Sequence, residues 1–437
     1  MKQNTYLILP GCDDTNRGDQ ALIWETVSLA KAAGYIGNYY MLANSAQCHQ
    51  SKDEGIDQVN YILEHPSTRF QSSQNIHYTP WLKLKWAFVA IGDIISREPL
   101  VNPILRKALL PLYSRKTRQA LEIFQNANVS FVKGGGFLHA HGSLADTYKI
   151  YYFLYHIRLA LSMGSQVIVM PNSFGPFNSP FVKKMVQKVL SRCKAVMARE
   201  SISAQQLSDS CGISASVFSD LAFHLKADDA FDPKKRLRDA GIPLGSKPCV
   251  AITARPYRFP EAQDSKAKYH AYQNSIVNFM VYLSENGYHP VLVEHVFSEM
   301  DHENDMTCIR QISALVQDRC EYSIFTDRTL TSRQMKRIYG SFDYTVGTRF
   351  HSVIFSLASG VPSIAITYGG NKGLGIMKDL GLGDYALPIE SLSDTQLIQV
   401  FTQLTENKTR LTAALREQQL RMSTQKQQIM NIIVEND

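Results

Sequence analysis

The chain has 437 residues, enough for two domains of ordinary size, and its 44% hydrophobic and 19% charged content is typical of a globular protein with a sizeable core. The net charge of +7 suits an anionic ligand or an acidic membrane surface but is too small to indicate nucleic-acid binding. The seven scattered cysteines argue against a disulfide scaffold and indicate reduced thiols in a cytoplasmic protein. We expect neither a signal peptide nor a membrane span.

The first elements follow a strand–helix–strand order. Thr5–Leu9 and Tyr39–Ala43 are short apolar runs, and Ala21–Ala33 between them has helical spacing. This opening is typical of a doubly wound α/β sheet. Asp19 lies at the predicted helix start, where an acid either caps free N–H groups or serves a ligand; both interpretations stay open.

Residues 47–118 form an irregular, proline-containing and basic insert. Within it, residues 81–91 mix aromatic side chains with lysines, and more arginines and lysines follow as far as Arg118. One interpretation is a helix that lies on a membrane surface. The other, which the pattern favours, is a helix packed on the core with a solvated basic flank.

Glycines and histidines follow the next buried strand, Val129–Val132. Glycines at a strand end permit a close backbone approach and N–H donation to a ligand. The residues concerned are Gly134, Gly135, Gly136, His139 and His141.

Three further strand ends in the first half carry polar residues. The strand Gln166–Met170 is predicted to end in a loop over Pro171–Phe177, and Arg199 follows the strand Ala195–Ala198. Asp220 ends the last strand of this half. Arg199 either binds an anion or makes a surface contact with Glu200 of little energetic weight.

The strand–helix alternation restarts after a charged connection, so the second half is predicted to be another α/β domain. A polar helical tail, broken once, follows it. The predicted organisation is an N-terminal domain over residues 1–222, a linker over 223–248, a C-terminal domain over 249–392 and a tail over 393–437.

Two strand ends in the second half carry cations. Arg349 and His351 follow the strand Tyr344–Val346, and Lys372 follows a glycine-rich loop after Tyr368. In an open α/β sheet, ligands collect at the carboxyl ends of the strands, where a helix offers free N–H groups. This pattern indicates an anion site, although Arg349 could instead pair with a local acid and His351 could be a turn histidine.

These loops, taken in order, resemble the polysaccharide pyruvyl transferase family. The resemblance covers Pro10 to Leu382, and its most specific elements are the N-x-G-D-x-A motif that begins at Asn16 and the R-F-H-S motif that begins at Arg349. It implies two Rossmann-like domains facing across a cleft, as in the GT-B glycosyltransferases. The insert and the tail match no motif of the family.

The resemblance implies transfer of pyruvate from phosphoenolpyruvate to two hydroxyls of one sugar, with a cyclic ketal formed and phosphate released. The acceptor would be a unit of a bacterial capsule, an exopolysaccharide or a cell-wall polymer, in some cases still lipid-linked. The protein would then work in the cytoplasm, at the inner face of the membrane for a lipid-linked acceptor. The scheme requires no cofactor and no metal.

The chemistry divides the candidate residues among three roles. Donor binding needs fixed cations and backbone N–H groups, and we expect them from Arg199, Arg349, Lys372, Gly134, Gly135 and Gly136. Proton transfer suits an imidazole, so His351 is the leading acid/base candidate, followed by His141 and Asp19. The residues expected to bind or orient the acceptor are Asn16, Asp220, His139 and Tyr368.

Two other functions stay open. A GT-B glycosyltransferase would hold the diphosphate of a nucleotide sugar on a similar set of cations, but no Glu is clearly placed for the ribose. A binding protein that kept the fold without catalysis is disfavoured because Arg199, Arg349 and His351 are all present.

Overall fold

The computed structural model describes residues 4–43, 45–64, 80–369 and 372–434. Part of the basic insert (65–79) and part of the glycine-rich loop (Gly370 and Asn371) lie outside the described residues. The chain divides into two compact units, each discontinuous in sequence. The first comprises Met1–Asp14, Leu22–Asp220 and Gln427–Asp437; the second comprises Thr15–Ala21 and Leu221–Lys426.

The first unit is built on a parallel sheet, whose described strands follow the order β3-β2-β1-β4-β6-β7-β8, with β5 paired to β6. The strands are β1 (Thr5–Leu9), β2 (Asn38–Leu42), β3 (Ile56–Val59), β4 (Ala127–Val132), β5 (Gly135–Ala140), β6 (Gln166–Phe177), β7 (Ala195–Ala198) and β8 (Ser216–Val217). The helices are α1 (Arg17–Ala32), which begins in the second unit, α2 (His49–Asp53), α3 (Pro80–Arg97), α4 (Pro103–Leu109), α5 (Arg115–Asn126), α6 (Leu144–Ser162), α7 (Pro180–Leu190) and α8 (Ser201–Cys211).

Two predicted loops of the first unit are strand instead. β6 continues through Phe177, so the loop predicted over Pro171–Phe177 is wrong, and most of the glycine run belongs to β5. Gly135 pairs with Asn172 in this ladder. Glycine and proline have low strand propensity, but pairing at the end of a formed sheet satisfies their backbone groups and overrides it.

The second unit contains a parallel sheet in the order β11-β10-β9-β12-β13-β14, the strand order of a Rossmann fold. The strands are β9 (Cys249–Thr253), β10 (His289–Val293), β11 (Ser323–Phe325), β12 (Tyr344–Gly347), β13 (Ser363–Thr367) and β14 (Ala386–Pro388). The helices are α9 (Leu221–His224), α10 (Pro233–Asp239), α11 (Ser265–Glu285), α12 (Asp305–Val316), α13 (Ser332–Tyr339), α14 (Phe350–Ala358), α15 (Lys372–Asp379), α16 (Asp394–Glu406) and α17 (Lys408–Val434), which ends in the first unit.

The central strands of both sheets are buried on both faces. Every residue of β9, β10 and β12 is buried, as a parallel sheet covered by helices requires. The order reverses between β9 and β12, and in such sheets the crevice at the carboxyl ends of those two strands is the usual ligand position. The prediction of an α/β fold with two Rossmann-like sheets is confirmed.

Candidate functional site

The N-terminal loop of the second unit docks on the segment after β10. The backbone N–H of Phe297 donates to the carbonyl of Thr15 at 3.1 Å. The side chain of Gln20 accepts from the backbone N–H of Ser332 at 2.8 Å. These contacts hold the first turn of α1 against the carboxyl end of β10 and the start of α13.

Asn16, rather than Asp19, caps the free N–H groups of α1. Its Oδ1 accepts from the backbone N–H of Gly18 at 3.1 Å and of Asp19 at 3.2 Å. Its Nδ2 donates to Oδ2 of Asp19 at 3.0 Å. Asp19 is half-buried in the first turn, where its carboxylate is a partner of the Asn16 cap and complements the helix dipole.

His351 packs against Gly18 of the same turn. A Cβ atom added to Gly18 would lie 2.0 Å from Nδ1 of His351, so only glycine permits this approach. The imidazole is 8% exposed. The N-x-G-D-x-A motif and the R-F-H-S motif, which are far apart in sequence, are therefore in contact through Gly18 and His351.

Arg17 is a buried cation that the sequence analysis did not assign. Its Nε donates to the carbonyl of Leu330 at 3.2 Å and its Nη2 to that of Asp327 at 2.9 Å, while the guanidinium lies 4.2 Å from the ring centre of Phe297. Its Nη1 is buried with no hydrogen-bond partner within the described ranges. Burial lowers the pKa of Arg17 to about 10, opposed by the carboxylates of Glu294 and Asp327.

His295, also not assigned from the sequence, follows β10 and is 1% exposed. Its Nδ1 lies 3.2 Å from the hydroxyl of Tyr339, and its Nε2 has no hydrogen-bond partner in the part of the chain that the structure describes. Burial lowers the pKa of His295 well below its usual value, and the neighbouring His351, Arg17 and Arg349 lower it further.

Arg349 pairs with a local acid, Asp305, as the alternative interpretation predicted, and its Nη1 lies 3.6 Å from a carboxylate oxygen of Glu303. Its Nε donates to Oδ1 of Asp305 at 2.6 Å, and its Nη2 donates to the carbonyl of Glu303 at 2.6 Å. Oδ2 of Asp305 accepts from the backbone N–H groups of His295 and Val296. Burial opposes the charged form of Arg349, but Asp305, followed by Tyr368 and Glu303, raises its pKa overall.

A third arginine of the second unit, Arg255, follows the end of β9. Its Nη1 donates to the hydroxyl of Tyr368 at 2.5 Å, and its guanidinium stacks 4.6 Å from the centre of that ring. Its Nη2 lies 3.5 Å from a carboxylate oxygen of Glu303. Tyr368 thus positions a cation, whereas Lys372 begins α15 beyond the undescribed part of the loop.

In the first unit, Arg199 makes a buried ion pair with Asp220. Its Nη1 lies 2.7 Å from Oδ2 of Asp220, and its Nε donates to Oγ of Ser173 at 2.7 Å. Glu200 lies 3.7 Å away, and the side chains of Arg199 and Glu200 are both 0% exposed, so the interpretation of a surface contact is wrong. The Nη2 of Arg199 is buried without a hydrogen-bond partner among the described residues.

The glycine run and its histidines form a separate cluster in the first unit. Nδ1 of His139 lies 3.1 Å from the carbonyl of Gly136, and its Nε2 lies 3.2 Å from Nζ of Lys149. Burial, followed by Lys149 and His141, lowers the pKa of His139 to about 4. The rings of His139 and His141 are 5.6 Å apart, edge to face.

Gly134 serves packing. A Cβ atom at this position would lie 2.7 Å from the carbonyl oxygen of Pro171, so glycine lets the turn before β5 approach β6. Within the described ranges, no three His, Cys, Asp or Glu side chains are placed to hold a metal ion, and no helix is long and apolar enough to cross a bilayer.

Solved structures at low sequence identity share the fold of this chain. Anabaena HepE in complex with UDP superposes with a TM-score of 0.57 at 11% identity, covering 99% of this chain and all of that one. A putative UDP-N-acetylglucosamine 2-epimerase from Listeria monocytogenes gives a TM-score of 0.56 at 10% identity, covering 100% and 98%. At this identity the likeness establishes the fold alone.

Sequence comparison is more specific. The amylovoran biosynthesis protein AmsJ of Erwinia amylovora is 26% identical over 249 residues, which are 56% of this chain and 59% of that protein. The family model for polysaccharide pyruvyl transferase matches residues 16–370, from the Asn16 cap to the glycine-rich loop. The chain therefore belongs to the polysaccharide pyruvyl transferase family.

Proposed function

We propose that this enzyme transfers pyruvate from phosphoenolpyruvate to two hydroxyls of a sugar in a bacterial surface polysaccharide or its precursor. The observation that carries the proposal is the buried basic cluster of the second unit, formed by Arg17, His295, Arg349 and His351 at the ends of β10 and β12 and the start of α1. The family supports a glycan acceptor, and AmsJ supports an exopolysaccharide.

Phosphoenolpyruvate is a small polyanion, and the cluster offers complementary groups. The Nη1 of Arg17 has no hydrogen-bond partner among the described residues, so it can donate to a phosphate or carboxylate oxygen without breaking another bond. If the hydroxyl of Tyr339 donates to Nδ1 of His295, the ring proton lies on Nε2, which then becomes a second donor. Arg349, which Asp305 holds in place, is a further cation of this cluster.

The reaction begins with protonation of the terminal methylene of the donor, which makes C2 an oxocarbenium-like electrophile. One sugar hydroxyl adds to C2 and loses its proton. The C2–O bond to phosphate then breaks, the second hydroxyl closes the ring, and its proton leaves with the phosphate. His351 is the proposed acid/base, because its imidazole adjoins the first turn of α1, where the N–H groups favour negative charge.

Several predicted roles stay part of this proposal. The donor-binding roles of Arg199 and of the backbone of Gly134–Gly136, which belong to the first unit, stay predictions; the Nη2 of Arg199 is buried without a hydrogen-bond partner among the described residues. Asp220 is engaged by Arg199, so its effect on an acceptor would be indirect. His139 and His141 are expected to contact the acceptor or move a proton.

The direct test is an incubation with phosphoenolpyruvate and a panel of aryl and lipid-linked glycosides. We expect phosphate release together with an acceptor that gains the mass of pyruvate less one water. Arg17→Met should raise the donor KM about 10- to 100-fold, the effect of losing one charge-assisted hydrogen bond. Arg310→Met, which removes an exposed arginine from α12, is the matched control.

A different result would give a different assignment. If the protein releases nucleotide from nucleotide sugars and releases no phosphate from phosphoenolpyruvate, it is a glycosyltransferase. Tight donor binding without turnover on any acceptor would make it a binding protein. His351→Gln, if folded and fully active, would remove the imidazole from the proposed chemistry.

A further inference from the structure

Helix α3 (Pro80–Arg97) carries an exposed apolar stripe. Trp81, Phe88 and Ile95 are 76%, 67% and 69% exposed, and Leu84 and Ile91 are exposed beside them. At 100° per residue these five side chains fall within an arc of about 80° on one side of the helix. A soluble monomer rarely presents such a continuous apolar surface without a partner.

The opposite side of α3 already faces the first unit. Leu82 and Trp86 are half-buried and Asp93 is buried, and all three lie on the side of the helix away from the stripe. The helix is therefore apolar on both sides. The sequence pattern favoured a helix packed on the core with a solvated basic flank, whereas in the structure one side of the helix is buried and the apolar stripe on the other side is exposed.

Positive charge is concentrated in the segment that carries the stripe. Residues 80–118 contain eight lysines and arginines and two acids, so this segment accounts for nearly all of the net charge of +7. One of the acids, Asp93, is buried, and the other, Glu98, is paired with Arg158. Among the side chains whose exposure the structure describes, the exposed cations of this segment are Lys85, Lys107, Arg115, Lys116 and Arg118.

Exposed apolar side chains continue beyond α3. Ile104 and Leu105 are exposed on α4, and Leu112 is exposed in the 3-10 turn that follows. The whole segment thus combines large apolar side chains with lysines and arginines, which is the composition of helices that lie in the headgroup region of anionic bilayers.

We propose that α3 and the segment to Arg118 dock the enzyme on a phospholipid surface that contains anionic headgroups. The apolar stripe enters the boundary between headgroups and acyl chains, and the cations contact lipid phosphates. A second copy of the chain fits this surface less well, because a two-fold interface would bring the same cations together. The proposal is independent of the donor and of the reaction.

The test is co-sedimentation of the full chain with vesicles of phosphatidylcholine, either alone or with about 30% of the anionic lipid phosphatidylglycerol. We expect binding to the anionic vesicles that weakens as salt is raised. Phe88→Glu/Ile95→Glu should lower the partition coefficient at least about 10-fold, and Lys116→Glu about fivefold or more, since each cation near the surface contributes about a factor of five.

The matched control is Leu420→Glu, which places a carboxylate at an equally exposed leucine on α17. It should bind vesicles as the wild-type chain does, and circular dichroism should show all three glutamate variants folded. Failure of the wild-type chain to sediment with anionic vesicles at low salt would overturn the proposal, as would unchanged sedimentation of Phe88→Glu/Ile95→Glu. A dimer that this variant dissociates, without vesicle binding, would assign the stripe to a second copy.

Discussion

The contact between Gly18 and His351 gives the sharpest prediction. In Gly18→Ala the new methyl carbon would start 2.0 Å from Nδ1 of His351, whereas an ordinary contact begins at 3.4 Å. The imidazole or the helix turn must therefore move by about 1.4 Å. A displacement of about 1 Å in a catalytic group can cost about 100-fold in rate. We expect kcat to fall by about that factor, with a much smaller change in the donor KM.

The assay compares steady-state phosphate release by Gly18→Ala with that by Gly92→Ala, using water-soluble glycosides as acceptors. Gly92 is also a helical glycine, but a Cβ atom added there meets nothing within 4 Å, so the Gly92→Ala variant should have wild-type activity. Thermal unfolding must show that Gly18→Ala is folded. Wild-type kcat in folded Gly18→Ala would refute the view that this contact positions the acid/base.

Three further predictions concern stability and donor binding. Asp220→Asn leaves the buried guanidinium of Arg199 with Glu200, 3.7 Å away, as its remaining carboxylate, so the free energy of unfolding should drop in urea titrations, by less than the roughly 3–5 kcal/mol expected for a buried charge with no partner. His156 accepts from the backbone N–H groups of Ile62 and Leu63, and burial lowers its pKa to about 3. Its folded pKa is below its unfolded pKa, so stability falls as pH drops below about 6.5; between pH 7 and 5 the loss should be about 2 kcal/mol, and His156→Gln should remove that part of the slope. Arg349→Ala should raise the donor KM, and an unchanged KM would assign Arg349 to structure alone.

Short apolar runs that alternate with helical segments were enough to predict two α/β domains, because a strand buried on both faces is a nearly continuous apolar run in the sequence. The same signals failed at Pro171–Phe177 and at the glycine run. There, local propensity indicated loops, but a neighbouring strand was available to pair with these residues, and such long-range pairing leaves no trace in a short window.

The site was predicted in the same uneven way. The rule that cations past strand ends mark an anion site selected Arg349 and His351, and applied consistently it would also have selected Arg255 and His295, which follow β9 and β10. Arg17 lay inside the quoted motif, but its burial depends on Phe297 and Leu330, which are distant in sequence. Sequence spacing gives position along the chain, not the partner that each side chain meets.

The partners change how the cations should be ranked. Arg349 is the more conspicuous arginine in the sequence, yet its Nε and Nη2 already donate to Asp305 and to the carbonyl of Glu303. Arg17 donates only to two carbonyl groups, neither of which cancels its charge, and its Nη1 has no partner among the described residues. Burial lowers the pKa of Arg17, and no carboxylate is hydrogen-bonded to it. A bound anion would therefore stabilise the charged form of Arg17 more than that of Arg349, which already has Asp305 as a partner. If a donor anion binds this cluster, Arg17 should therefore contribute more to its affinity than Arg349, and a smaller effect on the donor KM in Arg17→Met than in Arg349→Ala would contradict that ranking.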